Sequence, residues 1–133
     1  MLYAITIGRV DLSASLGLNR KQINNPEMYK IVKDAFQKIK SKGIKTNMGG
    51  GISIEAIDLM KDLYSKGLLD NVETRYIMFD VPKFLKYYDE ALLKAQEFEC
   101  TWLTNKKVLN TALANVDNQR IKMIEERISD SQG

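Results

Sequence analysis

The chain has 133 residues, 44% hydrophobic and 28% charged, with 20 Lys and Arg against 17 Asp and Glu. That is one domain with enough chain for a sizeable core, and its net charge of +3 is too small to make nucleic acid the expected partner. Cys100 is the single cysteine and there is no histidine, which excludes an internal disulfide and, for this chain by itself, every Ser-His, Cys-His or His-metal mechanism. No stretch approaches the roughly 20 apolar residues of a membrane span. The short N-terminal apolar run follows no basic region, so neither a signal peptide nor a membrane is expected, and a reducing cytoplasm is.

In chain order, Leu2 to Ile7 is a short apolar run that predicts a buried strand of the parallel kind. It meets Gly8, which permits a sharp turn or the close approach of a ligand, and three residues later Asp11. A carboxylate just past the carboxyl end of a parallel strand sits where α/β folds put their chemistry, and free amides at Val10 and Asp11 would hold an anion. Alone, an aspartate there is more commonly a turn former or a helix cap.

A polar loop over residues 18–25 leads to Asn25-Pro26-Glu27, which reads as cap, first helical residue and acidic first turn. Met28, Ile31, Val32, Ala35, Phe36 and Ile39 recur at three- and four-residue steps, predicting a helix that Gly43 ends. Its lysines form a solvated face, because Asp34 interrupts them and no aromatic residues interleave for base stacking.

Ile44 to Met48 predicts a second strand, followed by Gly49-Gly50-Gly51 and a helix that Ser53 caps and Gly67 ends. The glycine run suits a backbone that approaches a ligand, with amides able to take an anion, or simply a tight turn. It is neither a Walker A loop nor a dinucleotide fingerprint. Val72 to Asp80 predicts a third strand with Glu73 and Arg75 on one side, an ion pair at its start in preference to substrate contacts on a barrel interior. Asp80 reads as the cap of a helix opened by Pro82 in preference to an active-site carboxylate. Two amphipathic stripes follow, Phe84 to Phe98 and Leu109 to Ile124, with a break near Thr101 to Asn105 and Trp102 as an anchor in a core or interface.

The stretch Ile7-Gly-Arg-Val-Asp-Leu-Ser-Ala-Ser-Leu-Gly17 resembles the Ile-Gly-x-x-Asp-Leu-Ser-x-x-Leu/Met-Gly signature of the HpcH/HpaI aldolase / citrate lyase family, metal-dependent lyases on a TIM-type barrel. The resemblance covers roughly residues 3 to 98. It implies that Asp11 is one of two carboxylate ligands of Mg²⁺ or Mn²⁺, and that Gly8 with the amides of Val10 and Asp11 binds the substrate carboxylate. Arg9 stands where the family commonly has a small residue or proline.

Three similar strand–helix units form the βαβ pattern of a parallel sheet, whereas a complete barrel needs about 250 residues. The fold expected is therefore α/β: three parallel βα units resembling strands six to eight of a TIM barrel over residues 1–98, then a C-terminal helical extension over 99–133. The family's second carboxylate ligand, its substrate-binding arginine and its histidine base lie upstream of the signature and have no matching position, so no catalytic residue is assigned.

The function expected is that of the C-terminal part of a metal-dependent carbon–carbon lyase acting on an α-keto acid or acyl-thioester through a metal-stabilised enolate. The alternative is a non-catalytic assembly module derived from a barrel enzyme. A narrow apolar stripe on the charged last helix, and the family's exchange of C-terminal helices between protomers, imply a homo-oligomer or association with a missing N-terminal part.

Overall fold

A computed structural model describes residues Met1–Gly133. The chain is α/β, with a four-stranded sheet in the order β1-β2-β3-β4: β1 (Ala4–Gly8), β2 (Lys45–Gly49), β3 (Asn71–Glu73) and β4 (Met78–Asp80). The first three strands are parallel, with Gly8 opposite Gly49 and Gly49 opposite Glu73, while β4 returns antiparallel to β3. The helices are α1 (Arg9–Ser15), α2 (Pro26–Lys40), α3 (Ile57–Ser65), α4 (Val81–Lys86) and α5 (Tyr88–Gln132).

Helix α2 starts where the sequence places it. The Asn25 side chain accepts from the Met28 N–H, Pro26 occupies the first turn, and Met28, Val32 and Phe36 form the buried stripe. Asp80 caps α4 in the same way, accepting from the Lys83 N–H at 2.9 Å. Ser53 precedes a 3₁₀ turn, but its hydroxyl donates to Glu55 instead of accepting from an amide.

Three expectations are corrected. The stretch 72–80 is two three-residue strands around a tight turn, closed by the Thr74 N–H donating to the Ile77 carbonyl at 2.8 Å. Alternation breaks at that turn, so Glu73 lies at the carboxyl end of β3 and not at the start of a longer strand. The break expected near Thr101 to Asn105 falls instead at Tyr87, and α5 runs uninterrupted through 45 residues. Thr101 and Thr104 do not interrupt it, because their hydroxyls donate back to the carbonyls of Glu97 and Cys100. Finally, Arg9, Val10 and Asp11 belong to the first turn of α1, a helix that begins directly at Gly8 without a loop.

Because β1, β2 and β3 lie in sequence order, the crossovers advance in one direction and place α2 and α3 on the same face of the sheet. Met48 and Val72, register partners on that face, join Val32, Phe36, Met60, Leu63, Val81 and Phe84 in one core, with Ile7, Leu12 and Phe79 against it. Alternation sends the other residues of each strand to the opposite face. There stand Thr6 and Gly8 from β1, Asn47 and Gly49 from β2, and Asn71 and Glu73 from β3. One face is apolar and covered; the other is polar.

At the opposite end of the sheet, Asp70 accepts from Lys40 Nζ at 2.5 Å and from the Thr46 N–H at 2.8 Å. Burial raises its pKa, but Lys40 and the Thr46 amide outweigh that and hold it below the usual carboxylate value. A depressed folded pKa gives stability that is complete above the unfolded value of about 3.9 and lost as pH falls through the folded one. Asp70→Asn is therefore expected to cost about 1–2 kcal/mol at pH 7. Urea unfolding at pH 7 and pH 3 should show the gap between variant and wild type narrowing in acid; a constant gap would refute the ion pair's role.

The chain divides into two compact units, Met1–Gln96 and Glu97–Gly133. The second is a segment of α5 in which the Phe98 and Trp102 rings stack with centroids 6.5 Å apart. Trp102 is half exposed there, as are Leu109, Leu113 and Val116. No helix is long and apolar enough to cross a membrane.

Candidate functional site

The polar face of the sheet ends, at the carboxyl edges of β1, β2 and β3, in a set of small and acidic residues. A hydrogen-bonded row crosses it: Asn47 Nδ2 donates to Thr6 Oγ1 at 3.3 Å, and Asn71 Nδ2 donates to Asn47 Oδ1 at 3.0 Å. One step toward the edge lies a second row, Gly8, Gly49 and Glu73. At Gly8 the missing side chain leaves space beside Asp11, whereas at Gly49 that space is taken by the Glu73 side chain. A Cβ placed on Gly8 would lie 3.5 Å from Asp11 Oδ2, and one on Gly49 would lie 3.1 Å from Glu73 Oε1. The two carboxylates thus stand over neighbouring positions of adjacent strands, on the same polar face.

Beneath this edge lies Arg9, wholly buried. Its Nε donates to the Gly50 carbonyl at 3.1 Å and its Nη2 to the Gly51 carbonyl at 2.7 Å. Its Nη1 donates to Asn24 Oδ1 at 2.7 Å and to the Ile23 carbonyl at 3.4 Å. Every one of these acceptors is formally neutral. No carboxylate pairs with the guanidinium, and burial lowers its pKa to about 10. The side chain ties α1 to the glycine loop after β2 and to the loop before α2.

The glycines of that loop are required by both backbone and space. Gly50 and Gly51 have φ of +77° and +64°, a region that L side chains rarely adopt. A Cβ on Gly50 would meet the Val10 backbone nitrogen at 2.7 Å, and one on Gly51 would meet Ile23 Cδ1 at 2.9 Å. Gly8, by contrast, has an ordinary φ of −84°, so its conformational freedom is not used; what it supplies is the space beside Asp11.

The residues read from sequence as a site, Gly8, Val10 and Asp11, therefore sit together at one end of the sheet, beside the Gly49–Gly51 loop. Asp11 is exposed. Its two companions found only in the structure are Glu73 and Arg9. The signal for Glu73 was the shared pattern Thr6-x-Gly8, Asn47-x-Gly49 and Asn71-x-Glu73, in which polar residues alternate identically along three strands. For Arg9 no sequence signal distinguishes a buried guanidinium from a surface one.

Asp11 and Glu73 are the carboxylates this edge offers to a hard cation, which takes oxygen ligands; no group of three or more acidic or cysteine side chains that could hold a metal ion is present. Compared with protein-family models, with curated proteins and with solved structures, the chain matches none.

Proposed function

We propose that the first unit is the C-terminal portion of a metal-dependent carbon–carbon lyase, with β1, β2 and β3 as successive parallel strands of a TIM-type barrel. Antiparallel β4 covers the outer edge of β3, where an eight-stranded barrel would otherwise close. The observation that carries this reading is the two-faced sheet: one face buried under helices, the other polar and ending in Asp11, Glu73 and a glycine loop. In a barrel, helices cover the outside, and the chemistry gathers where the inward face meets the strands' carboxyl ends. The resemblance of residues 7–17 to the HpcH/HpaI aldolase / citrate lyase signature supports the same reading and supplies the substrate class, an α-keto acid or an acyl-thioester.

In this reading Asp11 would hold Mg²⁺ or Mn²⁺, with Glu73 as a second carboxylate available to it. The bound metal would act as a Lewis acid on the carboxylate and keto oxygens of the substrate. Thr6 and Asn71, held by Asn47 buried between them, would present hydroxyl and amide groups to polar substrate atoms. Gly8 keeps the floor low enough for substrate to approach the end of β1, while Gly49 makes space for the Glu73 side chain. The remaining ligands and the proton-transfer groups come from upstream strand–helix units.

Manganese binding to the full chain tests it. Paramagnetic resonance of free Mn²⁺ is expected to show binding that pyruvate strengthens, Asp11→Asn abolishes and Glu73→Gln weakens. Equal binding by wild type and Asp11→Asn would remove Asp11 as a ligand. A second reading, a non-catalytic assembly module, is favoured by the half-exposed Trp102, Leu109, Leu113 and Val116 of α5. No metal binding, together with self-association that changes at these positions lower, would make it the better one.

A further inference from the structure

The loop after β2 carries a feature that neither the metal nor the lyase reading uses. The Gly50 and Gly51 carbonyls both point inward to the Arg9 guanidinium. The chain has no cis peptide bond, and in a trans peptide the N–H points opposite to its carbonyl. The Gly51 and Ile52 N–H groups therefore face away from Arg9, side by side. No acceptor in the chain meets the N–H of Gly51, Ile52 or Ser53. Successive free amides in a turn built on left-handed residues form a concave anion cradle.

The second observation is independent of loop shape. Arg9 is wholly buried, with neutral acceptors only and no carboxylate against it. A buried cation without a counter-charge is costly, and such charges are ordinarily paired. Its two bonds to the loop carbonyls also polarise the peptides on whose far side the free amides lie, which strengthens those amides as donors. The missing negative charge and the missing acceptors belong to one place.

We propose that the Gly50–Ser53 loop binds an oxyanion, the phosphoryl or carboxylate group of a ligand, through the amides of Gly51 and Ile52, with buried Arg9 as the positioning residue behind them. Arg9 does not touch the ligand; it sets the direction of both peptides and supplies the field. Glu55, whose carboxylate accepts from the Ser53 hydroxyl at 2.6 Å, borders the loop on the α3 side. Asp11 and Glu73 stand over Gly8 and Gly49 on the polar sheet face, so an anionic ligand would meet metal and cradle at separate groups. The cradle stands on the loop alone and survives the loss of the metal reading.

The test is an amide nitrogen–proton correlation titration of the full chain in EDTA, with inorganic phosphate in one series and succinate in another at matched ionic strength. Expected are saturable downfield shifts largest at the Gly51 and Ile52 amides, unchanged in Asp11→Asn, which separates this site from the metal site. Tighter phosphate binding assigns a phosphoryl group, tighter succinate binding a carboxylate. Arg9→Lys, which keeps the charge but cannot hold both carbonyls, is expected to weaken binding at least fivefold. Shifts that do not saturate, or that centre on the lysines of α2, would overturn the proposal on wild-type protein alone, whether or not the variant folds.

Discussion

Replacing Arg9 with Met is expected to lower the unfolding free energy by about 3–5 kcal/mol. Each stranded neutral acceptor costs about 1–3 kcal/mol, partly offset by relief of a desolvated charge that has no counter-ion. The methionine chain fills most of the same volume, so the loss is polar in origin. It strands the carbonyls of Gly50, Gly51 and Ile23 and the Asn24 amide oxygen, all served by one guanidinium. Stranding the buried acceptors costs their desolvation, and the four lie in two separate segments, Gly50–Gly51 and Ile23–Asn24. Chemical denaturation at pH 7 checks it. A change under about 1 kcal/mol would mean that the loops hold their places without the strut.

Phe36→Ala is expected to cost about as much, 3–5 kcal/mol, for a different reason. The ring is wholly buried on α2 in the core that includes Met48, Met60 and Leu63. Its removal leaves a cavity that neighbours on a helix and a sheet only partly close. The same denaturation experiment separates the mechanisms. Arg9→Met should disturb the amide signals of the glycine loop in the folded protein, whereas Phe36→Ala should leave them in place. If Phe36→Ala costs less than about 1.5 kcal/mol, the helix-covered face of the sheet is not packed as the structure has it.

Much of the first unit was legible in the residues. Asn25-Pro26, Gly43 and the stripe through Phe36 place α2 because cap, breaker and periodicity are all local signals. The apolar run ending at Gly8, and the shorter, more polar one that stops at the Gly49–Gly51 glycines, place β1 and β2 for the same reason. The hairpin at Thr74 to Ile77 was not legible, since Arg75-Tyr76-Ile77 has strand-forming side chains and contains neither Gly nor Pro. What turns the chain there is pairing of Val72 with Phe79, a contact between segments. The continuity of α5 escaped as well. Threonines and Asn105 weaken a helix on propensity, but only slightly each, and the long runs on either side outweigh them.

At the site, the sequence marked Asp11 and the glycine run separately. It did not show that Gly8 and Gly49 are register partners, which brings them into one place. Nor did it show Glu73 at a strand's carboxyl end, because that depends on where the hairpin turns. Arg9 was least legible of all: an arginine one residue past a strand is ordinarily solvated, and only the inward carbonyls of Gly50 and Gly51 give it a reason to be buried.

The antiparallel return of β4 has a consequence for how this sheet meets other chains. A sheet has two margins, and each is a template on which further strands can be laid. Here β4 forms one margin, three residues long and cut off by Asp80 and Pro82, which open a helix. The other margin is β1, five residues long and bonded to a neighbour on one side only. Extension is therefore polar, like growth from a seeded end: a strand from any companion chain has its longer docking rail along Ala4–Gly8, and if laid parallel it would bring its own carboxyl end beside Asp11.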